Sequence, residues 1–337
     1  MKRPMAPTIA CAALCALFLV LGVLFGSEPV SLARVVFAPG SIDRTIVVDA
    51  RLPRVLLGGI TGAGLASVGL AFQTVLRNPL AEPYVLGVSG GAALGATCAL
   101  LFGLTGTTLL GASLVPIAAL AGGLAATAVV YAMARAGGEI SGTSILLAGV
   151  VVNAIASAAI TFLKTLVSAS KAQELLFWLM GFLDVPSTGA LAFVALYVAA
   201  GGAILLVDAG RLNLLALGDE PALHLGVDVR ALERRTFFAC SMVVGAIVSV
   251  TGLIGFVGLI VPHALRRVFG PDVRVTLPAS FFAGGATLVA CDLASRALFR
   301  WLHTEPPVGA VTALVGGPLF LLLLGRGAGS RGDLSAR

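Results

Sequence analysis

Charge is scarce in this sequence. Asp, Glu, Lys and Arg make up 11% of its 337 residues, against about 25% in an ordinary soluble domain, which excludes a water-soluble enzyme. The lysines are Lys2, Lys164 and Lys171. None follows the glycines of a GxxxxGK(S/T) phosphate loop, so the chain is not expected to hydrolyse ATP by itself. The 3 histidines (His224, His263, His303) are scattered, with no acid or cysteine at ligand spacing, and no metal or redox centre is expected. The 5 cysteines, Cys11, Cys15, Cys98, Cys240 and Cys291, sit inside apolar runs without a CxxC pair and read as small buried hydrophobes. Acids are missing from the middle of those runs, with only Asp292 coming close, which argues against an ion-coupled carrier.

What is present is apolar length. Hydrophobic residues reach 58% with 42 glycines, and the mean hydropathy is +1.04, far from the composition of a disordered chain. The fold class expected is an all-α polytopic membrane protein. A helix needs roughly 20 apolar residues to cross a bilayer. Breaks set by charges, prolines and turn clusters give ten spans, near 7–26, 53–73, 84–103, 109–133, 143–164, 188–207, 235–252, 253–269, 276–297 and 308–325. The seventh and eighth share one run from Thr236 to Val261, to be split at Gly252 or Gly255. The first span follows Lys2 and Arg3 like a signal peptide, with Ser31-Leu32-Ala33 as a conceivable cleavage site. It is longer than a signal h-region and is read as a retained helix.

The net charge of +6 comes from basic residues scattered singly, which does not suit a nucleic-acid surface. With both termini inside, the inner loops hold Lys2, Arg3, Arg77, Arg135, Arg211, Arg230, Arg234, Arg235, Arg266, Arg267, Arg274, Arg326, Arg331 and Arg337. That is about two thirds of the basic residues, the bias expected of cytoplasmic loops. The outer side keeps Arg34, Arg44, Arg51, Arg54, Lys164, Lys171, Arg296 and Arg300.

One long polar interruption runs from Asp208 to Arg235. Asp219-Glu220-Pro221 reads as a helix start, Gly226 as a stop and Asp228 as the cap of a second helix entering the seventh span. Two short helices flanked by arginines suit a docking surface, the alternative being an amphipathic interfacial loop. Gly87-Val88-Ser89-Gly90-Gly91 matches GxSxG, and His263 is the conceivable base of an intramembrane serine protease. The reading preferred is close helix packing through Gly87, Gly90, Gly91 and Gly95. Gly58, Gly62 and Gly64, and Gly252, Gly255 and Gly258, repeat such spacing.

Several stretches go beyond generic membrane patterning: Arg51-Leu52-Pro53-Arg54, Arg77-Asn78-Pro79-Leu80-Ala81-Glu82-Pro83, Leu86 to Ala92, Leu212 to Gly218, Gly252 to His263, and Glu305-Pro306-Pro307-Val308-Gly309. Together they resemble the FecCD-type permeases, the membrane subunits of importers for ferric siderophores, haem and cobalamin. The resemblance implies the type II ABC importer permease fold of ten helices, with an inverted repeat of spans 2–5 and 7–10. It also implies two permease copies, a homodimer on this reading, with two separate ATPase subunits that carry the ATP and magnesium. A periplasmic or lipid-anchored binding protein docks outside. By the same resemblance Arg51, Arg54 and Arg296 meet glutamates of the binding protein. The segment Leu217, Gly218, Asp219, Glu220, Pro221, Ala222, Leu223, Leu225 and Gly226 seats in the ATPase. Gly87, Ser89, Gly91, Gly95, Gly255 and Gly258 belong to helix packing or the translocation path. Without such a resemblance, an arginine like Arg54 would simply snorkel, and Arg296 would form an exposed pair with Asp292 one turn earlier.

The expected protein is a non-catalytic permease of the bacterial inner membrane that moves an iron chelate (ferric siderophore or haem), with cobalamin as the alternative cargo. It binds no cofactor itself. A secondary transporter and a protease built on Ser89 are the rival mechanisms.

Overall fold

Helix-start chemistry and apolar length shape the computed structural model, which describes residues 5–38, 40–104, 108–109, 112–136, 142–185 and 187–332. Lys2, Arg3 and Arg337, counted above on the inner side, lie outside the described residues. In chain order come α1 (Met5–Leu24), α2 (Leu32–Phe37) and α3 (Ile42–Thr45), which continues through a π-helical turn (Ile46–Arg51) into α4 (Leu52–Val75). A short turn at Pro83–Leu86 leads to α5 (Val88–Leu101) and to two paired strands, β1 (Thr108–Leu109) and β2 (Ala112–Ser113). Then follow α6 (Leu114–Ala136), α7 (Gly142–Lys164), α8 (Ala169–Leu179), α9 (Thr188–Leu215) and α10 (Asp219–His224). The last four are α11 (Val229–Thr251), α12 (Val257–Phe269), α13 (Val273–Leu302) and α14 (Val308–Gly332).

Among the described residues, 7 helices are long and apolar enough to cross a membrane: α1, the continuous α3–α4 rod, α6, α7, α9, α11 and α13. The spans expected at 84–103, 253–269 and 308–325 fall on α5, α12 and α14, whose described apolar stretches are shorter. Gly87, with φ of 86°, delays the start of α5. Residues 252–256 leave the helical conformation, so the run from Thr236 to Val261 is broken and α12 keeps only 13 residues.

Other boundaries also move. The helix that carries the sixth span, α9, runs past 207 to Leu215. Its buried Asp208 accepts hydrogen bonds from Arg211 (2.7 Å) and Arg235 (3.1 Å), so the charges that looked like a break are neutralised in place. The fourth span starts at Leu114, after the strand pair. α8 went unread in the sequence, where residues 165–187 passed for an outer loop.

α4 is the centre of the bundle. Every residue from Thr61 to Val75 is buried, as suits a helix that is apolar all round. It packs on α13, α9, α12 and α11. Gly62 and Gly284 make the α4–α13 crossing, since a side chain on either would strike the other's carbonyl. α5 packs on α6 and α7, and α1 on α13.

Candidate functional site

One end of the bundle, the end expected to face outward, holds a cluster of charge. Pro53 sits in the first turn of α4, and the turns around it carry Arg51 and Arg54. Arg54 stands between two carboxylates, 2.9 Å from Asp292 and 2.8 Å from Glu305. Asp292 also pairs with Arg296 at 2.9 Å and so bridges both arginines. Burial alone would push the Glu305 carboxyl up, but the Ser27 hydroxyl and the Arg54 guanidinium outweigh it and hold the group below the ordinary carboxylate range.

Two of the three arginines expected at the exposed rim are turned inward. Arg51 is 5% exposed and Arg296 is 3% exposed. Arg51 donates to the carbonyls of Val23, Leu24 and Glu28, and Arg296 to those of Gly22 (2.9 Å) and Phe25 (3.0 Å). The last carbonyls of α1 lack partners within their own helix and carry its negative dipole end, which explains why two guanidiniums close over them. Arg296–Asp292 is accordingly a buried pair rather than an exposed one. Arg54 alone of the three keeps partial exposure, with 24% of its side chain accessible.

The chain break between α11 and α12 is held by side chains of another motif. The N–H of Ile254 donates to the Tyr84 hydroxyl (2.9 Å) and that of Phe256 to Glu82 Oε1 (2.7 Å). Gln73 Nε2 donates to the carbonyls of Gly258 (3.3 Å) and Leu259 (3.2 Å). Backbone released from a helix in an apolar setting must find such partners. The Tyr84 carbonyl in turn accepts from Asn153 (2.7 Å) and from Ser89 Oγ (3.1 Å), and Asn153 Oδ1 accepts from the Gly90 N–H. The stretches around Glu82 and Gly252, far apart in sequence, are therefore one structural unit. Sequence reading gave no role to Glu82, although it lies in a motif quoted above, and passed over Tyr84, Asn153 and Gln73. A glutamate and an amide beside apolar runs were the available signal.

The glycines sort by contact. Gly91 and Gly95 face the carbonyls of Gly122 and Ala118 on α6, and Gly90 faces Asn153. Gly258 lies against the Leu65 carbonyl, and a side chain on Gly69 would collide with the Gly258 carbonyl. A Cβ added at Gly255, expected in a packing or path role, would meet just the Glu82 carboxylate among the described residues, at 3.6 Å. Gly252, with φ of 67° and pressed on the Trp178 carbonyl, is the position that requires glycine. Ser89 is buried with its proton committed to the Tyr84 carbonyl, while His263 stacks edge-on with Phe320 of α14. No hydrogen bond joins Ser89 to His263 among the described residues.

Ser89→Ala is expected to cost under ~1 kcal/mol, because the Tyr84 carbonyl keeps its Asn153 donor. Gly91→Leu has no room against α6 and is expected to remove most of the monodisperse peak. Size-exclusion profiles of detergent extracts check both. A serine-directed fluorophosphonate should label neither the wild type nor the alanine variant.

On the opposite end, α10 is framed by Gly218 (φ 122°) and Gly226 (φ 84°). Asp219 begins the helix and pairs with Arg77 at 2.9 Å, and Asp228 caps α11 through the Ala231 N–H. Leu217, Leu223 and Leu225 are exposed, Leu223 at 58%. Ala222, expected in the same contact surface, is fully buried and instead anchors α10 to the core. Glu220 is exposed at the start of the helix and Pro221 stands in its first turn.

The FecCD transport family matches residues 14–326. The chain belongs to that family. As a member, it is a membrane permease of an ABC importer. It is 44% identical over 281 residues to the cobalamin import system permease BtuC of Halobacterium salinarum, covering 83% of this chain and 73% of that one. Over 279 residues it is 36% identical to the hemin transport system permease HmuU of Yersinia pestis, covering 83% of each. A Helicobacter pylori permease described for iron chelatin transport is 32% identical, covering 84% of this chain and 83% of its own. A solved metal-chelate type ABC transporter in an inward-facing conformation superposes with a TM-score of 0.84 at 29% identity, covering 95% of this chain and 98% of that one.

Proposed function

We propose that this permease crosses the cytoplasmic membrane ten times with both termini inside, counting α5, α12 and α14 as short spans beside the seven long ones. Two copies form the pathway, with two ATPase subunits below and a periplasmic or lipid-anchored binding protein above. The chain itself holds no cofactor, and ATP and magnesium stay on the ATPase. The cargo is an iron chelate (ferric siderophore or haem), with cobalamin as the alternative; three of the relatives are named for cobalamin, hemin and iron chelatin. Docking of the binding protein falls to Arg54, while Arg51 and Arg296 support the outer face from beneath by fixing the end of α1.

The observation that carries this reading is the exposed leucine patch of α10. Leu223 stands on α10, with Leu217 just before the helix and Leu225 just after it, at the arginine-rich end, where an apolar surface left in water is unfavourable and a partner would cover it. Closure of the ATPase pair then pulls on α10, which is tied by Arg77–Asp219 to the end of α4 and by Ala222 to the core. Leu223→Glu is expected to release the ATPase in detergent while the permease keeps its elution volume. Full co-purification of the variant would place the contact elsewhere.

A further inference from the structure

A cavity of about 740 Å³ opens beside the outer charge cluster, within the size range of ligand sites. It extends from Arg54 to Val250 and Thr251, the last residues of α11 before the chain leaves the helix. Irregular backbone at membrane depth is tolerated where it lines a cavity, and transporter sites are built at such broken helices. The cavity therefore leads from the outer face to the break that Glu82 and Tyr84 hold.

Its walls have a definite chemistry. Phe177, Trp178 and Phe182 supply an aromatic side, with the two phenylalanine rings 6.3 Å apart and tilted. Phe177 remains half exposed, so its ring is open to whatever occupies the cavity. Charge at the cavity is net negative. Asp49 and Asp184 line it and are exposed, and neither forms an ion pair among the described residues. The basic side chain in the wall among the described residues, Arg54, is already matched by Asp292 and Glu305.

We propose that this cavity is a cargo-reading site of the permease itself, taking a bulky ring-bearing molecule that is neutral or cationic and rejecting anionic chelates of the same size. The inference rests on the importer reading above and narrows it. Aromatic faces bind an extended apolar or ring surface with little conformational cost. Two unpaired carboxylates in a partly enclosed space repel a cargo bearing carboxylates. The discrimination therefore belongs to this chain and adds to whatever the binding protein selects.

The test uses the permease–ATPase complex in nanodiscs and two probes of one shape: cyanocobalamin, which is neutral, and the tricarboxylate made by hydrolysing three of its propionamide side chains. Binding is read by equilibrium dialysis. The wild type is expected to bind the neutral probe at least about tenfold more tightly than the tricarboxylate. Asp49→Asn with Asp184→Asn, both at exposed positions, should narrow the difference between the tricarboxylate and the neutral probe to within about threefold. Trp178→Ala should weaken both probes by about tenfold or more, and Phe177→Ala, at a half-exposed ring, repeats that test without disturbing the core. Equal binding of the two probes, no binding of the neutral one, or amide variants that bind both as the wild type does would overturn the proposal. ATP-driven uptake by the same complex in proteoliposomes is measured in parallel. Uptake that persists without discrimination refutes this inference alone, whereas absence of ATP-driven uptake refutes the importer reading.

Discussion

Asp292→Ala is expected to destabilise the folded protein by about 3–5 kcal/mol, the usual consequence of stripping one partner from a buried ion pair. The carboxylate bridges Arg296 at 2.9 Å and Arg54 at 2.9 Å and is 1% exposed. Its loss leaves the deeply buried Arg296 with only the α1 carbonyls of Gly22 and Phe25. Thermal unfolding in detergent should show the largest drop of any single substitution at the outer face. A compensating pair, Asp292→Leu with Arg296→Met, should recover much of it, since an apolar pair of similar volume avoids the desolvation cost. If Asp292→Ala unfolds like the wild type, the cluster is hydrated and Arg296 is not buried as an ion pair.

Gly69→Leu is expected to abolish assembly. On the wholly buried face of α4, any side chain at position 69 meets the Gly258 carbonyl head-on, and neither backbone can retreat, because Gln73 also bonds the carbonyls of Gly258 and Leu259. Overpacking of a tight core commonly costs about 1–3 kcal/mol even where side chains can shift, and here the obstruction is backbone. Membrane extracts should show little or no monodisperse protein, while Gly255→Ala, with only the Glu82 carboxylate near it, should express normally. Wild-type yield from Gly69→Leu would mean that α4 and α12 do not cross as closely as described.

Much of the helical layout is legible in the sequence because apolar length and caps are local signals. Asp228, Gly226 and the Asp219-Glu220-Pro221 start all take the roles their chemistry predicts. Direction of a side chain is not local. Arg51 and Arg296 read as surface charges, since nothing near them in sequence reveals that the open carbonyls of α1 lie against them. Asp208 looked like the end of a span because its partners, Arg211 and Arg235, come from one turn ahead and from another helix. Likewise Glu82 and Tyr84 gained a purpose only once the fold brought Phe256 and Ile254 to them. The break between the seventh and eighth spans was legible from Gly252 and Gly255, either of which could have placed it, but the means of satisfying its backbone was not.

Uptake by reconstituted protein separates an ATP-driven permease from the alternatives most directly. Proteoliposomes holding this chain, with or without the ATPase subunit, receive ATP in the lumen and cargo-loaded binding protein outside. Labelled cargo should accumulate only when ATPase and ATP are both present, and an imposed proton or sodium gradient should not replace them. Accumulation by the permease alone, driven by such a gradient, would contradict the assignment of this chain as the membrane subunit of an ABC importer.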